Sequence, residues 1–91
     1  GVPHFQPGEL ARSGKRLKPH FADVSCFLAV VPTYVGGFMA LGWATDDASL
    51  RTLTAADLAP RIVAAGFKTR YYSPAVHAAA FALPPFIQEL L

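Results

Sequence analysis

With one cysteine in 91 residues, the chain cannot close a disulfide of its own. Cys26 sits inside the apolar run "DVSCFLAVV", where a thiol behaves as a small hydrophobe, so a reduced, cytoplasmic setting is expected. Long hydrophobic runs are also missing. The longest, over residues 24–31, falls short of the roughly 18–20 residues a membrane-crossing helix needs, so no membrane partner is expected. The opening "GVPHFQPGEL" lacks the basic start and apolar core of a secretory leader. Charge is sparse as well. Only 15% of residues are Asp, Glu, Lys or Arg, against roughly 25% in ordinary domains, and the net charge is a mild +2. The one basic cluster, "ARSGKRLK", has no aromatic residues between its cations, which favours a solvated helix face over a nucleic-acid surface.

Several chemical signatures are absent too. The glycines at 36 and 37 form neither a GxGxxG turn nor a P-loop. No GxSxG occurs, and nothing in the sequence activates Cys26 as a nucleophile. His4, His20 and His77 share no helical spacing, and no second cysteine completes a metal site. No cofactor is therefore expected within these residues.

What the chain does have is apolar surface. It is 53% hydrophobic, with a mean hydropathy of +0.33. A domain of this size buries proportionally less of its surface than a larger one, so an apolar patch should remain for contact with further protein. One domain is expected.

Leu10, Ala11, Gly14 and Leu17 repeat at helical spacing and predict a helix over 7–18, stopped by Pro19. "ADVSCFLAVV", residues 22–31, reads as a largely buried strand closed by Pro32. A second strand over 38–45 follows the short connection "PTYVGG", so the two should form an antiparallel hairpin, with Gly36 and Gly37 supplying positive φ. "DDAS" reads as a loop held by Asp and Ser side chains on nearby backbone N–H groups. Thr54 and Asp57 are spaced as a near capping box for a helix ending at Gly66, and Pro60 either kinks that helix or starts a second one. The alternation in "FKTRYY", residues 67–72, predicts a short strand. Ser73 and Pro74 open a helix with Val76, Ala80 and Leu83 on one stripe. After Pro84 and Pro85 a last helix should bury Phe86, Ile87, Leu90 and Leu91. Two strands alone do not make a stable sheet, and this also implies a missing part.

The chemistry then rests on Tyr34, at the tip of the hairpin. Its phenol can accept a hydrogen bond from an amine while its ring covers an alkyl chain, or it can simply cap the core with its hydroxyl in water. Asp46 and Asp47 read as turn caps rather than catalytic groups, and Phe38 and Trp43 as core.

Three blocks carry a resemblance to a known family. "HFADVSCFLAVVPTYVGGFMALGWATDD" is similar to the late hairpin of polyamine aminopropyltransferases, with its PTYxxG turn between strands. "RYYSPAVHAAAFALP" resembles their YYN-x-x-x-H-x-A-A-F-x-L-P signature through Tyr71, Tyr72, His77, Ala79, Ala80, Phe81, Leu83 and Pro84, with Ser73 in place of the usual Asn. "PFIQELL" resembles their amphipathic close. The chain looks most like the carboxyl-terminal third of a bacterial spermidine synthase. The resemblance implies an α/β fold: residues 1–91 would be the end of a Rossmann-like, methyltransferase-type domain, with the amino-terminal β domain and nucleoside-binding half outside the chain. It implies transfer of an aminopropyl group from decarboxylated S-adenosylmethionine, a co-substrate, to putrescine. It further implies a homo-oligomer, a substrate-binding role for Tyr34, a structural hydrogen bond at His77, and no catalytic residue or metal ligand among these positions. Two other readings share the hairpin: a non-catalytic oligomerisation or interaction module, and a related methyltransferase.

Overall fold

The computed structural model describes residues 7–33 and 37–91. Helix α1 (Pro7–Leu17) carries Leu10, Ala11, Gly14 and Leu17 on its inner side, and Gly14 is the residue it buries. Pro7 begins it because a first-turn proline gives up an N–H that would have no helical partner.

Strands β1 (Asp23–Val30) and β2 (Phe38–Thr45) then pair antiparallel, in a register running from Asp23↔Thr45 to Val30↔Phe38. Side chains alternate faces along a strand, so the hairpin sorts its residues into two sets. Cys26 and Ala40 point to one face, where they form a core with the fully buried Ile87. Leu10 of α1, Leu28, Leu83 and Leu91 close around them. Phe27 and Trp43 belong to the other face, where Phe81 packs on both, its ring centroid 5.6 Å from Phe27 and 5.0 Å from Trp43.

Past β2, Asp47 folds its carboxylate back onto Ser49, accepting from its N–H at 3.0 Å and its hydroxyl at 2.6 Å, the side-chain turn the "DDAS" sequence predicts. A short 3₁₀ turn, Leu50–Thr52, leads into α2 (Ala55–Ala65). The capping box is complete. Thr54 Oγ1 accepts from Asp57 N–H at 3.2 Å, and Asp57 Oδ2 accepts from Thr54 N–H at 2.9 Å. Gly66 ends the helix at φ 72°, a left-handed conformation that suits glycine. Pro60 lies inside this single helix and does not start a second one. The capped first turn and the Gly66 stop define one helix whose gains offset the bond lost at the proline.

Helix α3 (Pro74–Ala80) starts as the sequence predicts, with Ser73 Oγ accepting from Val76 N–H at 3.1 Å and Pro74 in the first turn. It ends before Leu83, so that residue reaches the core from the connection rather than from the helix. The last helix, α4 (Pro85–Gln88), buries Ile87 and leaves Leu90 and Leu91 half-buried. Phe86 does not join them: it is 44% exposed, because a helix of four residues presents only one side to the core.

The strand expected over 67–72 does not form; the segment is irregular and mostly exposed. Its alternation is real, but a strand needs a neighbour to take its backbone hydrogen bonds. Among the described residues the sheet is two-stranded. The segment meets β1 through a side chain instead, as described below.

Candidate functional site

The hairpin's far end is where the sequence places its one candidate ligand-binding side chain. Tyr34 lies outside the described residues, as does Gly36, whose positive φ the sequence also predicts. The flanks of the turn are described. Val31 N–H donates to Gly37 O at 2.8 Å, closing the ladder, and Gly37 takes φ 80°, which lets the chain reverse without a Cβ clash. One residue earlier, Val30 N–H faces away from β2 and donates to the hydroxyl of Tyr71 at 3.0 Å. Successive strand amides point in opposite directions, so one is held by the partner strand and the next by a phenol.

Beside this contact the aromatic face of the hairpin opens into a hollow of about 240 Å³, between β1, β2, residues 71–72 and α3. Phe27, Trp43, Phe81 and Val76 give it apolar walls. Tyr72 and His77 supply its polar rim, with Tyr72 Oη 2.6 Å from His77 Nδ1. With the imidazole neutral and its proton on Nε2, the phenol donates and Nδ1 accepts. His77 therefore makes the structural hydrogen bond expected of it. The hollow suits an apolar group, and among the described residues no carboxylate lines it to meet an ammonium.

Charge lies instead at the opposite end of the hairpin. Arg51, from the 3₁₀ turn, grips Asp23 with two parallel bonds of 2.8 Å each, and Trp43 Nε1 donates to the same carboxylate at 3.3 Å. The Arg51 hydrogen bonds hold the Asp23 carboxyl below its ordinary value. Burial pushes the Cys26 thiol up, so it stays protonated and inert in the core. Among the described residues no group of three or more His, Cys, Asp or Glu side chains converges as metal ligands would. No helix there is long and apolar enough to cross a membrane.

The hydrogen bond at His77 was expected from the sequence, whereas the contacts of Tyr71 and of the Asp23–Arg51 pair were not. Tyr71 left a trace in the alternation of residues 67–72, which predicts it to face inward; it is instead 51% exposed and reaches β1 through its hydroxyl.

The architecture defines an α/β segment, an antiparallel hairpin with helices packed on it. No family model matches the chain. Proteins named polyamine aminopropyltransferase from Salmonella arizonae, Salmonella newport and Escherichia fergusonii are each 46% identical to it over all 91 residues. The chain is thus related along its whole length to the polyamine aminopropyltransferases, and the resemblance carried by the three sequence blocks holds. It spans about a third (32%) of the length of these relatives.

Proposed function

We propose that the chain is the carboxyl-terminal part of the Rossmann-like catalytic domain of a cytoplasmic, homo-oligomeric spermidine synthase. The observation that carries this reading is the 46% identity over all 91 residues of the chain. The apolar residues left on the surface support it: Val63 is 81% exposed and Phe67 53%, as expected of a piece that packs against more protein.

The reaction forms a bond from an amine nitrogen of putrescine to the aminopropyl carbon of decarboxylated S-adenosylmethionine. That carbon's bond to the sulfonium breaks, methylthioadenosine leaves as a neutral thioether, and the nitrogen gives up a proton. A primary alkylammonium, like a lysine, has a pKa near about 10, so at neutral pH the enzyme must strip that proton and align the freed lone pair. Tyr34 would position the diamine rather than deprotonate it, because a phenol with a pKa near about 10 is a weak base at pH 7. The base and the nucleoside-binding residues would lie outside this chain, so the isolated segment is expected to be inactive.

The test is to express the full-length protein and assay transfer to putrescine. In Tyr34→Phe the KM for diamine should rise about two- to tenfold, the cost of one hydrogen bond, while the KM for the nucleoside co-substrate stays put. Equal losses for both substrates would remove the positioning role. A full-length protein that transfers no aminopropyl group to any diamine would remove the enzyme reading itself.

A further inference from the structure

We propose that residues 83–91 form a strap over the core that opens as a unit, ahead of global unfolding, and that Lys18 latches it shut. The inference does not depend on the reaction assigned above.

The strap is built to part from the rest of the chain. Ala82 N–H still bonds back to Ala79 O at the end of α3, but Pro84 and Pro85 have no N–H to give, so the run of backbone donors stops there. Beyond that break the bonds close on themselves. Ile87 and Gln88 N–H donate to Pro84 O, Glu89 N–H to Pro85 O, Leu90 N–H to Ile87 O and Leu91 N–H to Gln88 O. Among the described residues, no backbone–backbone hydrogen bond joins 84–91 to another element, so lifting the strap breaks neither the sheet nor α1–α3.

Side chains and one polar contact hold it down. Ile87 is fully buried against Cys26 and Ala40, with Leu83 and Leu91 packed beside it, so three of the side chains that close this face lift together. Lys18, just past α1, reaches across 73 positions and donates from Nζ to Leu91 O at 2.8 Å. A segment with few buried anchors and a closed set of bonds of its own belongs to the low end of local stability. Cys26 reports the opening. Its thiol is fully buried in the cluster with Ile87, so a thiol reagent reaches it only with the cover off.

The experiment uses the full-length wild type, Lys18→Met and Lys18→Arg, at urea concentrations below the unfolding transition. Iodoacetamide labelling of Cys26, located by peptide mass, is compared with amide hydrogen exchange of Ile87 and Gln88. In the wild type both should give one opening equilibrium, with a far shallower urea dependence than global unfolding, because a short strap uncovers little surface. Lys18→Met should speed both about two- to fivefold, the loss of one exposed hydrogen bond, and Lys18→Arg should restore the wild-type rates. Labelling with the full urea slope of global unfolding overturns the strap. Shallow labelling that the Ile87 and Gln88 amides do not share also overturns it, since another element would then uncover the thiol. Rates in Lys18→Met equal to those of the wild type overturn the latch, as does a failure of Lys18→Arg to restore them.

Discussion

Asp23 shows how much one carboxylate can organise. It opens β1, accepts two hydrogen bonds from Arg51, and takes a third from Trp43 across the sheet. Its side chain is only 10% exposed, against 34% for Arg51, so the pair is screened less than an open surface bridge but is not buried. Because the folded carboxyl titrates below its ordinary value, the unfolded chain binds the proton more readily. The stabilisation is therefore complete above the unfolded pKa, near about 3.9, and drains away as pH falls through that value toward the folded one. Asp47 and Asp57, held low by Ser49 and Thr54, contribute with the same sign. In urea unfolding of the full-length protein, Asp23→Asn should cost about 1–2 kcal/mol at pH 7 and less at pH 3, flattening the acid limb. An acid limb parallel to that of the wild type would show that this pair is not linked to protons. The Asp23–Arg51 pair was not visible in the sequence. Asp23 and Arg51 are 28 positions apart and follow no period, whereas Thr54 and Asp57 could be read because a cap closes within one turn.

At the scale of elements, legibility followed the same division. The first helix, both strands and the two N-caps were readable from local pattern, since their periods and caps are satisfied within the element. Residues 67–72 misled because their alternation of side-chain type has no neighbouring strand to act on among the described residues: Phe67 and Tyr71, of the expected inward set, are exposed, and Tyr72 is the half-buried one. Pro60 left two outcomes open, and the caps at either end of α2 decided between them. Gly14 offers a test of element packing. A Cβ built there would meet Leu91 Cδ2 at 3.5 Å, an ordinary contact. Gly14→Ala should thus be neutral or stabilising by up to about 1 kcal/mol, as alanine favours the helix. Gly14→Leu should destabilise by about 1–3 kcal/mol through overpacking against Leu91. Thermal unfolding of the two variants in the full-length protein decides: equal behaviour would mean that α1 does not sit on the closing residues as described.

For the molecule as a whole, the contrast is between a very small sealed core and a wide apolar exterior. Cys26, Ala40, Leu58 and Ile87 are the buried hydrophobics of the described residues, while Phe21, Val30, Leu41, Val63, Phe67, Tyr71 and Phe86 are exposed. Composition foretold this imbalance, since it depends only on how much apolar surface a short chain can hide. Where the excess would lie was not foretold, because that depends on which helix covers which face. If the 91 residues are prepared alone, they should self-associate or light up a hydrophobic dye. A dye-silent monomer in sedimentation would contradict the need for further protein.

The two faces of the hairpin also differ in what they make visible. Trp43, the chain's one indole, sits on the wall of the open hollow and not in the sealed core. Its emission colour therefore responds to whether water or protein fills that basin. The molecule thus carries its own optical gauge of the surface it leaves uncovered.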